Sequence, residues 1–211
     1  MRSDGLRLLV YDRTCRTRGV GLSTIWGGGA VLYRGLARID ASFGASSWAE
    51  ALAWLAAIEP SRPIAQVQYW GHGRWGRVLI GDDPLDEDTL RPGHALAPAI
   101  AQLRARLLPD GLFWLRTCEA FGARAGHAFA ERLAGSLGVR VAGHTFVIAA
   151  LQSGLRALAP GRRPAWDAAE GLAEGTHERP IRAHGSWPSH PRTVTLMTNA
   201  IPDAWFDEDG A

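Results

Sequence analysis

The chain has 211 residues, a formal net charge of +2, and 46% hydrophobic and 21% charged residues. This size suits one well-buried domain, and the small net charge argues against nucleic-acid binding. No apolar stretch reaches the roughly 18 residues of a membrane span, the N-terminus lacks the apolar core of a signal peptide, and two cysteines make no disulfide framework. We therefore expect a single domain over residues 1–211, located in the cytoplasm, with no nucleic-acid or membrane partner.

The first third of the chain contains one clear strand and one clear helix. Leu6–Tyr11 is rich in Leu and Val and predicts a buried strand. Residues 13–45 are rich in Gly and Arg, which predicts a hairpin or irregular structure, and their three consecutive glycines lack the Gly-Lys-Ser/Thr end of a phosphate loop. Ser46 or Ser47 is a suitable N-cap for a helix that runs through Ala57.

The central part of the chain alternates predicted strands with predicted helices. This alternation predicts an α/β fold with a mostly parallel sheet that is covered on both faces. The predicted elements are a strand at 64–73, a short strand at 76–81, an acidic loop at 82–88, a helix from about His94 to Leu107, a turn at 109–111, a strand within 112–122, a helix from about Ala123 to Leu137 closed by Gly138, and a strand at 139–149.

The last fifty residues break this alternation. Residues 160–192 contain many prolines and glycines and predict an irregular segment. Thr193–Thr198 predicts a final strand, and the acidic residues Asp207–Asp209 predict a solvated tail. We therefore place the core of the domain at about residues 6–150.

Two of the apolar runs end in residues that can do chemistry. The run Ile64–Gly73 delivers His72 between two glycines, and the run Leu112–Gly122 delivers Cys118, 46 residues further on. A spacing of this size fits one β-α-β crossover, so the two strands are expected to be parallel neighbours. The imidazole and the thiol would then meet at the sheet edge where open α/β sheets bind ligands.

This pair suits nucleophilic catalysis by a thiolate with a histidine partner. A helix is expected to begin soon after Cys118, and its positive end favours the thiolate. His72 can take the thiol proton or protonate a leaving amine, and the backbone N–H groups of Gly73 and Cys118 are candidate donors to a developing oxyanion. The alternatives without catalysis are that Cys118 is a small buried side chain and that the glycines around His72 form a simple turn.

The two blocks W-G-H-G-R-W-G and L-R-T-C-E-A-F-G resemble those of the caspase-like cysteine peptidases, with Cys-Glu similar to legumains and the bacterial CHAT proteases. The resemblance covers about residues 6–150. It implies a three-layer α/β/α sandwich, an endopeptidase with Cys118 as nucleophile and His72 as acid/base, and no cofactor or metal. The sequence departs from the pattern at Thr117, where most of these families have Ala or Gly, so the approach to the nucleophile is expected to be tighter.

Three residues within the two blocks are candidate substrate contacts: Arg116, Glu119 and Trp75. In caspases and metacaspases the residue two before the nucleophile lines the S1 pocket, so Arg116 there favours an acidic P1 side chain through a bidentate pair. Two alternatives stay open. Arg116 could be a structural cation paired with Glu119, and the acidic loop at 82–88 could receive a basic P1 residue.

The resemblance implies a protein or peptide substrate in a bacterial regulatory or defence pathway, with activation by a protein partner or by cleavage. Two other functions compete with it. The chain could be a non-enzymatic interaction module that keeps the scaffold, or a different thiol enzyme, such as an acyltransferase, that uses the same dyad.

Overall fold

The structure is a computed structural model that describes residues 5–16 and 21–210. None of the helices in these residues is both long and apolar enough to cross a bilayer. The helices are α1 (Leu22–Gly35), α2 (Trp48–Ala57), α3 (Ala97–Arg106), α4 (Ala123–Leu137) and α5 (Ala204–Glu208). The strands are β1 (Leu6–Asp12), β2 (Ala41–Ala45), β3 (Ile64–Trp70), β4 (His72–Arg74), β5 (Arg77–Ile80), β6 (Asp83–Asp86), β7 (Leu107–Arg116), β8 (Arg140–His144), β9 (Leu151–Gln152), β10 (Leu155–Leu158), β11 (Leu172–Gly175), β12 (Pro180–Ala183) and β13 (Val194–Thr195).

Six strands form the central sheet, in the order β10-β8-β7-β3-β1-β2. Every neighbouring pair is parallel except β8 and β10, which are antiparallel. The predicted α/β class with a mostly parallel sheet is therefore confirmed. Strand β3 lies in the middle of this order, between β7 and β1, so residues that follow these three strands share one edge of the sheet.

Helices cover both faces of the sheet. On β1, Leu8 and Val10 point into the larger core, which also contains buried residues of α2, α3 and α4. Leu9 points the other way, into a smaller cluster with Tyr33 of α1 and Trp70. Alternate residues of one strand thus pack in two separate cores. This layering is compatible with a three-layer sandwich.

Two predicted helices are confirmed. The Ser47 side chain caps α2 by accepting a hydrogen bond from the Glu50 N–H at 3.1 Å. Helix α4 has the predicted bounds, and Gly138 follows it in the left-handed region with φ of 69°. A residue with a β-carbon would be strained there, so glycine ends the helix as expected.

The prediction for residues 13–45 is wrong, because the described part of this segment contains helix α1 and strand β2. The three glycines, 27–29, lie inside the helix despite a propensity cost of about 1 kcal/mol each. Packing explains one of them, since a β-carbon on Gly29 would lie 2.6 Å from the Trp70 ring. Tertiary contact with β3 therefore selects a residue that local propensity disfavours.

Three boundaries also differ from the predictions. Helix α3 begins at Ala97 rather than His94, and β8 ends at His144. The predicted turn at 109–111 bulges out of β7, because the ladder pairs Ile64 with Leu107 and then Gln66 with Leu112. Pro109 has no N–H to offer a ladder, which fits a bulge at this point.

The C-terminal predictions need the largest correction. The final strand is only β13, and it pairs with β9 outside the central sheet. The segment 160–192 contains a small hairpin, β11–β12. Asp209 is buried rather than solvated, since its carboxylate binds the guanidinium groups of Arg156 and Arg192 and accepts from the Ala157 N–H at 2.9 Å.

Candidate functional site

His72 and Cys118 follow neighbouring parallel strands. The ladder between β3 and β7 ends at the pair Trp70 and Arg116. His72 comes two residues after Trp70, and Cys118 comes two residues after Arg116. The two side chains therefore leave the same sheet edge at matching positions, as the spacing of the two blocks predicts.

Gly73 brings the two loops into backbone contact. A β-carbon at this position would lie 2.5 Å from the carbonyl oxygen of Cys118 and 2.5 Å from Oγ1 of Thr117. Real β-carbons do not approach other atoms so closely, so only glycine allows the β4 backbone to pass this near to the thiol loop. The close approach of Thr117 and Cys118 thus explains why the residue after His72 is a glycine.

The sulfur of Cys118 contacts backbone rather than the imidazole. Its Sγ accepts from the Ile148 N–H at 3.4 Å and lies 3.8 Å from the Ile148 carbonyl. Burial raises the pKa of the Cys118 thiol, the hydrogen bond from Ile148 opposes this, and the charge of Glu119 raises the pKa further. In this conformation Cys118 is mostly a protonated thiol at neutral pH.

A tight turn carries Cys118 into helix α4. Glu119 has a φ of 43°, in the left-handed region that residues with side chains rarely occupy. Its N–H donates to the Phe146 carbonyl at 3.0 Å, and the next turn closes with Gly122 N–H donating to the Glu119 carbonyl at 3.0 Å. Neighbouring backbone therefore holds the turn in a strained shape beside the thiol, which is typical of functional loops.

The nearest thiol to His72 is Cys15, which the sequence analysis did not single out. Its Sγ lies 3.2 Å from Nε2 of His72. Cys15 follows β1 by three residues, and β1 pairs with β3 on the side opposite to β7. His72 begins β4, two residues after the end of β3, and β3 lies between β1 and β7, the strands that precede the two cysteines.

The described residues around Cys15, 13–16, are held by hydrogen bonds on both sides of the cysteine. The buried carboxylate of Asp12 accepts from Thr14 N–H and Oγ1 at 2.7 Å each and from Gly81 N–H at 3.0 Å. The carbonyl of Cys15 accepts from Ser23 N–H, in the first turn of α1, at 3.3 Å. These bonds hold the backbone around Cys15, whose side chain contacts His72 at the start of β4.

Arg116 is buried behind the site, with 4% of its surface exposed. Its guanidinium donates to Gln152 Oε1 at 2.7 and 3.0 Å and to Tyr33 Oη at 2.7 Å, and it lies over the Trp114 ring at 4.4 Å. Burial lowers the pKa of Arg116, although a guanidinium stays protonated in proteins.

A later segment covers this guanidinium. The carbonyls of Thr195, Leu196 and Thr198 accept from it at 3.1, 2.9 and 3.0 Å. Within the described residues every bond of Arg116 goes to a neutral oxygen, so the predicted pair with Glu119 is not formed. Arg116 is a structural cation here, but its partners are backbone carbonyls, the side-chain amides of Gln68 and Gln152, and a hydroxyl.

Glu119 and Trp75 lie nearer the surface. Burial raises the pKa of the Glu119 carboxyl, and the Arg74 guanidinium opposes that shift. The same guanidinium lies 5.1 Å from the Trp75 ring, and Trp75 helps to line an open depression of about 320 Å³ with Asp86 and Glu87. The structure thus places Trp75 beside the acidic loop.

Most carboxylates of the acidic loop already have partners. Asp83 accepts from the Trp48 N–H at 2.7 Å, and Asp86 accepts from the Thr89 N–H at 2.9 Å. Asp88 pairs with Arg91 at 3.0 Å. These contacts favour a structural role for the loop over a pocket for a basic P1 side chain.

No protein-family model matches the sequence, and no curated protein matches it. Within the described residues there is no group of three or more His, Cys, Asp or Glu side chains that could hold a metal ion. The features of the chain that point to a function are therefore the two motifs and the geometry of the sheet edge.

Proposed function

We propose that the chain is a cysteine endopeptidase with a caspase-like fold, in which Cys118 is the nucleophile and His72 the general acid/base. The observation that supports this best is the meeting of the two loops: His72 and Cys118 follow neighbouring parallel strands, and Gly73 contacts the Cys118 carbonyl. A role in a bacterial regulatory or defence pathway in the cytoplasm belongs to the same proposal.

The chemistry proceeds in two steps. Once the imidazole is free, His72 takes the proton of the Cys118 thiol. The thiolate then attacks the scissile carbonyl, and the N–H groups of Gly73 and Cys118 stabilise the oxyanion. His72 protonates the leaving amine, and then activates the water that hydrolyses the thioester. In the resting conformation Cys118 and His72 are not in their reactive states, because burial keeps the Cys118 thiol protonated and Nε2 of His72 contacts Cys15. Substrate binding must therefore free the imidazole.

Substrate preference is a narrower part of the proposal. An acidic P1 side chain would be recognised by Arg116 only after the carbonyls of residues 195–198 move away from the guanidinium. A P1 carboxylate would then replace neutral oxygens with a charged, bidentate partner. We expect a peptide-library profile rich in P1 Asp or Glu that Arg116→Gln flattens. A wild-type profile without acidic P1 removes Arg116 from substrate recognition.

The environment of Cys118 favours the second candidate, a non-enzymatic interaction module. A half-buried thiol with a raised pKa and backbone hydrogen-bond partners has the properties of a small packing side chain. Such a module would use the loops at the sheet edge for binding and would not turn over peptides.

One experiment separates the two functions. We expect the wild-type chain to cleave peptides in a library, and Cys118→Ala and His72→Ala each to lower kcat/KM by at least about a thousandfold. A peptidyl electrophile should label Cys118 in the wild type. Cleavage that survives Cys118→Ala excludes this residue as the nucleophile, and the absence of both cleavage and label favours the interaction module.

A further inference from the structure

Cys15 takes no part in the peptidase mechanism, yet it has the imidazole contact that Cys118 lacks. Its Sγ lies 3.2 Å from Nε2 of His72, whereas the Cys118 sulfur bonds to Ile148 backbone. A thiol and an imidazole at this distance can exchange a proton, and the thiolate is the reactive form of cysteine. The pair has the composition of a nucleophile with its base.

The fold holds both members of this pair. The Asp12 carboxylate fixes the turn before Cys15, and Ser23 of α1 donates to the Cys15 carbonyl. On the other side, the Trp26 ring meets the His72 ring edge-on, with centroids 5.4 Å apart. The imidazole is exposed and the thiol is half-buried, so small molecules can reach the sulfur.

We propose that Cys15 is a second nucleophilic thiol, served by His72, and that small hydroperoxides are the electrophiles that modify it. Two properties of the site favour this class of electrophile: the limited access to the Cys15 sulfur and the proton that His72 can supply. A half-buried sulfur admits a small, unbranched reagent more readily than a bulky one. The imidazolium formed by proton transfer also stands ready to protonate a departing oxygen.

Modification of Cys15 is a two-electron oxidation of its sulfur by the hydroperoxide. The Cys15 thiol proton passes to Nε2 of His72, and the thiolate attacks the terminal oxygen of the hydroperoxide. A sulfur–oxygen bond forms, the oxygen–oxygen bond breaks, and the departing oxygen takes the imidazolium proton to leave as an alcohol or water. Sulfur loses two electrons, the peroxide gains them, and Cys15 becomes a sulfenic acid.

The consequence for peptide cleavage depends on the function proposed above. A sulfenic hydroxyl on Cys15 would lie between its sulfur and the imidazole and would keep Nε2 engaged. His72 could then serve Cys118 less well, so oxidation of Cys15 should lower peptidase activity while Cys118 stays reduced.

Each cysteine serves as the control for the other, since the chain has only two. In the Cys118→Ala and Cys15→Ala proteins, iodoacetamide alkylation at pH 7 is followed by intact mass spectrometry. We expect Cys15 to react at least about tenfold faster than Cys118, and His72→Gln to slow Cys15 by at least about tenfold. His94→Gln is the matched control: it makes the same substitution at a histidine whose ring accepts from the Leu96 N–H instead of contacting a thiol. Equal rates, or no effect of His72→Gln on Cys15, overturn the proposal.

Oxidation is tested with hydrogen peroxide followed by dimedone, which traps sulfenic acids. We expect the adduct on Cys15, and a larger fractional loss of cleavage after peroxide in the wild type than in Cys15→Ala, each compared with its own untreated sample. An adduct that forms first on Cys118 overturns the proposal. If no variant cleaves peptides, the peptidase function fails, and the labelling rates still decide whether Cys15 is nucleophilic.

Discussion

The loop after β1 and the loop after β7 each present a thiol beside β3, but they hold it in different ways. Cys15 lies on a turn fixed by the Asp12 side chain, and its sulfur meets an imidazole. Cys118 lies on a strained backbone turn, and the hydrogen bonds of its sulfur within the described residues are with backbone atoms of Ile148. A shared sheet edge thus brings the thiols and the imidazole near one another. The group in contact with each sulfur then decides how reactive that thiol is before substrate binds.

The largest effect is expected from a substitution that disturbs only the Cys118 loop. Gly73→Ala would place a β-carbon 2.5 Å from the Cys118 carbonyl and from Thr117 Oγ1, so the thiol loop must move. We expect kcat/KM for peptide cleavage to fall by about a hundredfold, and the free energy of unfolding to fall by about 1–3 kcal/mol. Steady-state kinetics and chemical denaturation measure the two effects.

Gly28→Ala is the matched control for that substitution. Nothing lies within 4 Å of a β-carbon at Gly28, which is in the helix α1. Alanine there should leave cleavage unchanged and stabilise the protein by up to about 1 kcal/mol. If both alanine variants behave alike, the close approach of the two loops has no functional role.

The pH dependence of alkylation tests whether burial controls the reactivity of Cys118. Because burial raises the pKa of Cys118, the thiolate fraction at pH 7 is small and should grow about tenfold per pH unit until the pH passes that raised pKa. In the Cys15→Ala protein, we expect the iodoacetamide rate to continue rising at pH values where a free thiol has levelled off. A plateau near the ordinary thiol range would show that burial does not control this sulfur.

A smaller effect is expected from Asp12→Asn, which acts on the other loop. The amide nitrogen of Asn would face the Gly81 N–H, which now donates to a carboxylate oxygen at 3.0 Å, and two donors cannot pair. We expect Cys15 alkylation to slow by about threefold, with Cys118 unchanged within about twofold. Rates measured in the two single-cysteine backgrounds test this, and equal slowing of both cysteines would contradict separate control of the two loops.

Strong local signals allowed part of the fold to be predicted. The Ser47 cap and the apolar spacing fix α2, and Gly138 fixes the end of α4, because caps and periodicity are properties of neighbouring residues. Helix α1 escaped prediction since its three glycines oppose a helix locally, and packing of Gly29 against Trp70 is a contact between distant residues. Tertiary packing outweighs propensity there.

The site was predictable to a similar extent. The spacing of His72 and Cys118 predicts adjacent strand ends, because one crossover connects parallel neighbours. Cys15 could have been found by the same logic, since it follows the predicted strand Leu6–Tyr11 by four residues, but only the strand order places β1 beside β3. The burial of Asp209 was unforeseeable in a run of acidic residues, because its arginine partners come from separate parts of the chain.

The cover over Arg116 has a consequence for how the protein reaches its final shape. The three carbonyls that receive this guanidinium come from residues about 80 positions later in the chain. Contacts of such long sequence separation form slowly, and a cation resists dehydration until its acceptors arrive. We therefore expect the contacts of Arg116 with residues 195–198 to form after β7 has paired with its parallel neighbours.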